Sequence, residues 1–302
     1  MGRADQSLCP TRLRLNQIQG ETVLELQARA KINLTLEVLG RRPHGYHEIL
    51  SVMQAVDLHD TLRLELAEGL SLTSNWPHLE TPDNLVLKAA RLLKQAAKVD
   101  LGAQMHLVKA IPLAAGLGGG SSDAAAALQG LNELWGRPLP GEELVTVASA
   151  VGSDVPFFLV DGTALAEGRG ERVTKLPPLR RRWVVLVTPS VEVQNKTAYL
   201  YSLLSPQDYS AGVATREVVE ALRSGESPDP SLFVNVFQPI ALDRFPDVRR
   251  WHDSMYRLGA ERVWLAGSGP TLFTLCSDEG SSRHLARLLE AEGATVLVTR
   301  TV

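Results

Sequence analysis

A glycine cluster that runs directly into a helix-forming segment is the feature that most limits how this 302-residue chain can fold. Between Pro112 and Asp123 the sequence places four glycines within five positions and then two serines, and four consecutive alanines follow. Such a loop allows several main-chain N–H groups to converge on an anion at the positive end of a helix. We therefore predict a strand–loop–helix unit that binds phosphate. The alternative is a tight turn in which glycine only supplies positive φ.

Two common nucleotide-binding motifs do not fit this spacing. A Walker loop requires a lysine directly after its last glycine, whereas Gly120 is followed by Ser121. The dinucleotide fingerprint G-x-G-x-x-G spaces its glycines more widely than this cluster does. The sequence therefore indicates a third kind of phosphate loop.

The composition excludes several classes of protein. The formal net charge of −3 argues against a dedicated nucleic-acid-binding protein, which usually carries a basic surface. Cys9 and Cys276 are the only cysteines, so we expect a reducing compartment and neither a disulfide framework nor a cysteine-based zinc site. No apolar run approaches the roughly 18–20 residues of a membrane span. We therefore expect a cytoplasmic protein with no membrane, nucleic-acid or obligate protein partner.

Strand and helix patterns alternate along the whole chain, which predicts an α+β protein with two domains. The expected boundaries are an extension at 1–21, an N-terminal domain at 22–165 and a C-terminal domain at 166–302. Further strands are expected at 62–66, 104–110, 164–166, 183–187, 262–265, 271–276 and 294–299, and helices at 122–135, 142–150, 197–204, 216–223, 247–258 and 283–292.

Three local details are predicted more closely. In residues 32–38 apolar and polar side chains alternate, which predicts one strand with one buried face. Thr81 is expected to cap a helix that runs to about Lys98. Val155 is expected to be extended because Pro156 follows it.

The glycine loop at 112–127 resembles the ATP-phosphate loop of the superfamily of galactokinase, homoserine kinase, mevalonate kinase and phosphomevalonate kinase. The segment 267–269 is similar to the late glycine motif of that superfamily. Segments 30–34, 41–48 and 151–158 resemble its branch that phosphorylates a methylerythritol carrying cytidine diphosphate, in the non-mevalonate route to isoprenoid precursors.

This resemblance covers roughly residues 26–302 and implies both a fold and a reaction. The implied fold is the two-domain small-molecule kinase fold, with an N-terminal ATP-loop domain and a ferredoxin-like C-terminal domain. The implied reaction is ATP-dependent phosphoryl transfer to the 2-hydroxyl of the methylerythritol part. The implied partner is thus a small-molecule substrate that carries a cytidine diphosphate.

Lys31 and Asp154 are the catalytic residues that the resemblance implies. A carboxylate at a helix-end turn can accept a hydroxyl proton during phosphoryl transfer, although an aspartate beside proline is also a common turn or cap residue. A strand lysine usually extends to solvent, whereas the resemblance places Lys31 beside Asp154 and the acceptor hydroxyl. Asn33 shares the face of Lys31 and is predicted to bind substrate or else to satisfy a buried edge.

The resemblance assigns Tyr46 and His47 to the cytidine, with the tyrosine stacked on the base and the histidine hydrogen-bonded to its edge. Stacking combined with edge recognition is the general way to hold a nucleobase, although alone the two would be an ordinary loop pair. Tyr199 aligns with a second aromatic of that site, the alternative being a core aromatic on a helix. The late glycine motif is assigned to substrate binding as Gly267, Ser268 and Gly269.

ATP is assigned mainly to the glycine loop. Asn84 and Lys109 match positions near the purine, although they could equally be an early-helix polar residue and an exposed strand lysine. Ser121 and Ser122 are predicted to cap the following helix. Mg²⁺ is expected with ATP because the phosphate charge needs neutralising, and no protein ligand is assigned to it. The loop residues assigned to ATP are Pro112, Leu113, Ala114, Ala115, Gly116, Leu117, Gly118, Gly119, Gly120, Ser121 and Ser122.

The chain departs from the pattern it resembles at three places. His44 stands where aspartate is usual, Ala114 and Ala115 replace glycines of some members, and residues 235–238 lack two acids of an Asn-Asp-x-Glu pattern. The alternatives are a kinase of another small alcohol, such as homoserine or mevalonate, and a non-catalytic nucleotide-binding protein. A nucleic-acid-binding module is disfavoured by the acidic balance.

Overall fold

The computed structural model describes residues 14–18, 21–43, 45–191, 193 and 195–302. The chain forms two compact units, each assembled from several segments. The first unit comprises Met1–Arg29, His59–Ile111 and Gly119–Asp161, and the second comprises Ala30–Leu58, Pro112–Gly118 and Gly162–Val302.

The described residues form strands and helices in an α+β arrangement, as predicted. The strands are β1 (Arg14–Ile18), β2 (Glu21–Asn33), β3 (Glu37–Arg41), β4 (His47–Ala67), β5 (Leu70–Ser74), β6 (Gly102–Val108), β7 (Thr163–Gly168), β8 (Arg172–Lys175), β9 (Trp183–Val187), β10 (Trp264–Leu265), β11 (Leu272–Cys276) and β12 (Val296–Arg300). The helices are α1 (Leu85–Ala97), α2 (Gly119–Leu134), α3 (Gly141–Val151), α4 (Val155–Val160), α5 (Lys196–Ser202), α6 (Val213–Arg223), α7 (Phe237–Arg244), α8 (Pro246–Arg257) and α9 (Glu279–Ala291).

In the first unit the strands follow the order β1-β2-β4-β6-β5, with β5 parallel to β6 and β4 antiparallel to β6. Helix α1 buries Val86, Ala89 and Leu93, a stripe with helical spacing. Helix α2 packs against α1 and α4 and buries its alanines at 124–127, whose short side chains allow close approach.

In the second unit β3, the first part of β4, β7 and β8 pair antiparallel. A separate antiparallel sheet has the order β10-β11-β9-β12, so the strand expected at 183–187, β9, is an interior strand. The core of this unit joins β9 and β11 to α7, α8 and α9, with Phe237, Met255 and Leu289 among its buried side chains.

The segment 32–38 is not the predicted strand with one buried face. β2 ends at Asn33, β3 begins at Glu37, and the polar residues are as buried as the apolar ones. Asn33 Nδ2 donates to Ser51 Oγ at 2.8 Å, and Thr215 N donates to Glu37 Oε2 at 2.8 Å. Alternation misleads here because the polar side chains find partners inside the protein instead of facing water.

Two helix starts differ from the predictions. Asn84, not Thr81, caps α1, because its Oδ1 accepts from Val86 N at 2.9 Å. Val155 is not extended but begins α4, with Pro156 in the first turn, where a missing N–H costs no hydrogen bond.

Helix α2 begins earlier than predicted. Because it starts at Gly119, Ser121 and Ser122 lie inside its first turn and do not cap it. The helices expected at 142–150 and 216–223 are confirmed as α3 and α6, whereas α7 has no counterpart among the predictions.

Each compact unit is assembled from several segments of the chain. The units therefore do not test the predicted domain boundaries, which stay a prediction. Within the extension at 1–21, residues 14–18 form β1 and pair with β2, and the rest lies outside the described residues apart from the start of β2. Within the described ranges, no helix is both long enough and apolar enough to cross a bilayer.

Candidate active site

Within the second unit, the glycine loop is held through its carbonyl groups. Three loop carbonyls accept hydrogen bonds: Lys196 Nζ donates to Ala114 O at 2.8 Å, Thr271 N to Ala115 O at 3.3 Å, and Lys31 N to Leu117 O at 2.9 Å. These bonds fix the orientation of three peptide planes in the loop.

The same bonds determine where the loop N–H groups point. In a trans peptide the carbonyl oxygen and the following N–H point in opposite directions, so the N–H groups of Ala115, Gly116 and Gly118 face away from the groups that hold the loop. Within the described ranges the main-chain N–H groups at 113–118 donate to no hydrogen bond. The loop therefore presents unpaired donors, which is the property that an anion site requires.

Gly116 is the loop position where a side chain is least tolerable. Its φ is +82°, and a β-carbon would lie 2.1 Å from Ala266 O. We expect Gly116→Ala to lower the free energy of unfolding by about 2 kcal/mol or more and to weaken ATP binding, because the loop must move away from Ala266. Urea unfolding and ATP titration measure the two effects.

Gly225→Ala is the matched control for Gly116→Ala. Gly225 has a similar φ of +79° but no described atom within 4 Å of its β-carbon position. This control should show only the backbone cost, about 1 kcal/mol, with ATP binding unchanged. Equal effects of the two substitutions would contradict the packing role of Gly116.

Lys31 and Asn33 lie together beside the late glycine motif. Lys31 Nζ donates to Asn33 Oδ1 at 2.8 Å, and both side chains are buried. A β-carbon at Gly267 would lie 3.0 Å from Lys31 Nζ and 2.8 Å from Gly116 O. The structure thus brings together the predicted Lys31, Asn33, Gly267 and one residue of the glycine loop, and the lysine does not extend to solvent.

The late glycine motif is held by Asn235, to which the sequence assigned no role. Asn235 Nδ2 donates to both Leu265 O and Gly267 O at 2.8 Å. Gln238, which stands where an acid is usual, donates to Val263 O at 3.1 Å and accepts from Leu265 N at 2.9 Å. Residues 235–238 lack the two acids of the usual pattern, but Asn235 and Gln238 still support β10 and the glycine motif through these hydrogen bonds.

The turn between β3 and β4 displays Tyr46. Its side chain is 56% exposed, and the Arg169 guanidinium lies 5.1 Å above its ring centroid. Such a guanidinium–aromatic contact is attractive but leaves the other ring face available. An exposed aromatic on a turn is therefore present where the resemblance requires one.

Ion pairs and main-chain hydrogen bonds brace this turn. Arg42 N donates to Tyr46 O at 2.7 Å, and the Arg42 guanidinium pairs with Glu48. Arg172 Nη2 also approaches Glu48 at 3.4 Å. The hydrogen bond that Arg42 donates to Glu48 raises the pKa of Arg42 and lowers the pKa of Glu48. These contacts tie Arg42 to Tyr46 and to Glu48.

His47 packs against aromatic rings instead of lying free in the turn. Its ring stacks on Tyr201 at 5.0 Å between centroids and meets Tyr209 edge-on at 6.1 Å. Burial, together with the nearby charge of Arg41, lowers the pKa of His47. The neutral imidazole that this favours can both donate and accept a hydrogen bond.

The structure does not pair Tyr199 with Tyr46 or His47, the other residues predicted to bind the nucleobase. Tyr199 is 37% exposed and lies 6.4 Å from the Phe245 ring, and no described ring contact joins it to Tyr46 or His47. Tyr201, two residues further along α5, is the aromatic residue that contacts His47. A second aromatic was predicted at Tyr199, and no separate signal in the sequence pointed to Tyr201. Ser268 Oγ lies 2.8 Å from Thr197 Oγ1.

In the first unit Asp154 occupies the N-cap position of α4. Its carboxylate makes no capping hydrogen bond, but the residue stands in the turn before Pro156, so its catalytic role stays a prediction. The turn that holds it is fixed, because Gly152 N donates to Ala148 O at 3.1 Å and Val155 N donates to Gly152 O at 3.2 Å. A half-buried carboxylate on a fixed turn suits a group that must meet a substrate hydroxyl.

Lys109 is not an exposed strand lysine but lies between two buried carboxylates. Its Nζ donates to Asp60 and, at 2.7 Å, to Asp123. Asp60 Oδ1 also accepts from the N–H groups of Ala110 and Ile111 at 2.6 and 2.8 Å. The cluster therefore connects β4 to the segment before the glycine loop and to the N-terminal part of α2.

Burial dominates the electrostatics of this cluster. It raises the pKa of the Asp123 carboxyl well above its usual range, against the opposing effect of the Lys109 charge. Asp123 Oδ1 is buried and has no described hydrogen-bond partner. Asn84 is likewise engaged locally, since its Nδ2 donates to Leu79 O at 2.9 Å while its Oδ1 caps α1.

Over the described ranges, no group of three or more His, Cys, Asp or Glu side chains is arranged to hold a metal ion. Of the acids nearest the loop, Asp60 and Asp123 are committed to Lys109. No protein ligand set can therefore be assigned to Mg²⁺.

Two family models match the chain. "GHMP kinases N terminal domain" matches residues 84–162, and "GHMP kinases C terminal" matches residues 216–295. A solved homoserine kinase from Cytophaga hutchinsonii shares the fold, with a TM-score of 0.71 at 19% identity over 96% of this chain and 97% of that one. Fold and matches together define the class, an ATP-dependent small-molecule kinase.

More similar proteins narrow the class. The chain is 41% identical to a 4-diphosphocytidyl-2-C-methyl-D-erythritol kinase of Dehalococcoides mccartyi, over 93% of this chain and 99% of that protein. It is 43% identical to one of Pelotomaculum thermopropionicum, over 92% and 98%. A crystal structure titled as 4-(cytidine 5'-diphospho)-2C-methyl-D-erythritol kinase matches with a TM-score of 0.78 at 34% identity, over 92% of this chain and 98% of that one. The chain belongs to the 4-diphosphocytidyl-2-C-methyl-D-erythritol kinase family of the GHMP kinases.

Proposed function

We propose that this chain transfers the γ-phosphoryl group of ATP to the 2-hydroxyl of 4-diphosphocytidyl-2-C-methyl-D-erythritol, in the cytoplasm. The named activity of relatives at about 40% identity supports this substrate. The structural observation that carries it is the braced turn that exposes Tyr46 beside His47. Homoserine and mevalonate have no nucleobase, so such a turn has no purpose in a kinase for those alcohols.

The glycine loop and the start of α2 are the proposed site of the ATP phosphates. The loop carbonyls at 114, 115 and 117 are tied down, and the N–H groups at 113–118 are unpaired among the described residues. The first turn of α2 contains no acidic side chain that would repel a bound anion. The next acid along the helix, Asp123, is buried and paired with Lys109. The residues present therefore fit a polyphosphate.

Mg²⁺ is proposed to enter with ATP. It would offset the charge of the β- and γ-phosphates, and its coordination is assigned to phosphate oxygens and water because the described residues offer no acidic cluster. This proposal needs no dedicated protein site for the ion.

Asp154 is proposed as the catalytic base and Lys31 as the residue that stabilises charge. The 2-hydroxyl oxygen forms a bond to the γ-phosphorus as the bond from that phosphorus to the β-γ bridging oxygen breaks, and the hydroxyl proton passes to Asp154. The Lys31 ammonium stabilises negative charge on the transferred group. Asn33 keeps Lys31 in place through the 2.8 Å hydrogen bond to its Nζ.

The cytosine is proposed to stack on Tyr46 and to hydrogen-bond to His47. A lowered pKa keeps His47 neutral, so its ring can donate to or accept from the cytosine edge. Tyr199 remains the proposed second aromatic, and its exposure allows a base to reach it. Ser268 and Gly269, with Gly267, remain proposed substrate contacts.

Tyr46→Ala tests this substrate assignment. We expect KM for the cytidyl alcohol to rise by about 10- to 100-fold while KM for ATP stays unchanged, because the lost interaction is base stacking. Tyr46→Phe keeps the stacking surface and should behave nearly as the wild type. Initial rates measure both constants, and phosphorus NMR of the product locates the new phosphate. Unchanged KM for the cytidyl alcohol in Tyr46→Ala would contradict the assignment.

A further inference from the structure

Lys196 joins the two glycine-rich segments of the second unit. It is the first residue of α5, and only 8% of its surface is exposed. Its Nζ donates to Ala114 O at 2.8 Å and also to Gly269 O. One buried ammonium group is therefore shared by the ATP loop and by the late glycine motif.

The partners of Lys196 distinguish it from the other buried lysine cluster of the chain. Lys109 lies between two carboxylates, whereas the described partners of Lys196 Nζ are main-chain carbonyls. Burial alone lowers the pKa of Lys196 to about 8. A buried ammonium without a carboxylate is costly to the fold, so its presence calls for an explanation other than stability.

The conformation of Ala114 shows what the lysine holds. Ala114 has a φ of +52°, in the left-handed region that residues with a β-carbon disfavour. Its carbonyl oxygen is the one that Lys196 binds, and this bond turns the N–H of Ala115 in the opposite direction. Releasing the carbonyl would allow that peptide to rotate and place an oxygen where a donor is needed.

We propose that Lys196 is a positioning residue for ATP: it locks the Ala114 and Gly269 carbonyls, and so keeps the loop in the conformation that presents N–H groups to phosphate. It also supplies a cation from α5 to a loop that has no lysine of its own, unlike a Walker loop. The kinetic test of this inference rests on the proposed function, whereas the test by ATP binding does not.

Lys196→Met is the decisive variant, because methionine is apolar and of similar length. We expect the dissociation constant and KM for ATP to rise by about 10-fold or more, which corresponds to the loss of a charged hydrogen-bond donor. KM for the cytidyl alcohol should rise less than KM for ATP, because Lys196 contacts the proposed substrate motif only at Gly269 O. Amide hydrogen exchange at 113–118 should accelerate, and the unfolding midpoint should stay or rise, because a buried charge has been removed.

Lys94→Met serves as the control for loss of a helical lysine. Lys94 pairs with the exposed Asp100 at 3.6 Å, and the substitution should change none of these quantities. Unchanged ATP binding in Lys196→Met, or a lower unfolding midpoint with both KM values rising together, would overturn the proposal. A wild-type protein that binds ATP but phosphorylates none of the candidate alcohols would instead overturn the proposed function, and the binding and exchange data would still test Lys196.

Discussion

Replacing Asp154 with asparagine is expected to lower kcat by about 10²- to 10⁴-fold and to leave ATP binding unchanged. Asparagine has the same shape but cannot accept the proton that the 2-hydroxyl loses. Asparagine can keep the N-cap position of α4, where the Asp154 side chain makes no capping hydrogen bond. The fold should therefore survive, and the loss should fall on the chemical step.

Steady-state kinetics, with ATP titration on the same preparation, measure this effect. Asp100→Asn is the control, because the Asp100 side chain is fully exposed and should have no kinetic role. A turnover in Asp154→Asn within about 3-fold of the wild type would remove Asp154 from the mechanism and leave the loop and the nucleobase turn as binding features.

Replacing Lys109 with methionine is expected to lower the free energy of unfolding by about 3–5 kcal/mol at neutral pH. The side chains of Lys109, Asp60 and Asp123 are 3%, 0% and 4% exposed, so removal of the cation leaves buried carboxylate charge with no compensation. The strand end at Ala110 and Ile111, which leads into the glycine loop, should loosen as well because Asp60 also holds it.

Asp123→Asn is the matched control for this cluster. Burial favours the protonated form of Asp123, so a neutral amide in its place should not lower the stability at neutral pH and should leave the bond between Lys109 and Asp60 intact. Urea unfolding with a common m-value measures both variants. A loss in Lys109→Met no larger than that in Asp123→Asn would show that the lysine does not compensate the buried charge.

The raised pKa of Asp123 also determines how the stability of the protein changes with pH. Its pKa is raised in the folded state, so the folded protein binds more protons than the unfolded chain above the ordinary aspartate pKa. The contribution to stability is therefore full at low pH and declines as the pH rises toward the raised pKa. The Asp123→Asn variant should lack this decline.

The parts of the fold that depend on local sequence could be predicted. The glycine cluster followed by alanines predicted the loop and α2. Continuous or periodic apolar runs predicted β9, α3 and α6. Errors occurred at element ends, as with Thr81 and Val155, where neighbouring turns decide which residue caps a helix.

The buried polar contacts could not be predicted, because they join distant parts of the chain. Lys109 meets Asp60 across 49 positions, and Lys196 meets Ala114 across 82. Nothing local distinguishes these lysines from exposed ones. The same holds for Glu37, whose polar pattern indicated an exposed face but whose carboxylate accepts from Thr215 N, 178 positions away.

The site itself was predicted mainly through resemblance. Geometry adds the reason why particular residues suit their roles: tied carbonyls in the loop, a braced turn under Tyr46, and a buried Lys31 held by Asn33. The partners that position these groups, among them Asn235, Lys196 and Tyr201, become visible only when the chain is folded.

The central claim is that the chain is a kinase for the cytidyl alcohol, and ADP release in a coupled assay with Mg-ATP tests it most directly. Four alcohols would be compared: 4-diphosphocytidyl-2-C-methyl-D-erythritol, homoserine, mevalonate and galactose. We expect turnover with the cytidyl alcohol alone. Turnover with one of the other three and none with the cytidyl alcohol would contradict it, although the fold and the phosphate loop would stand.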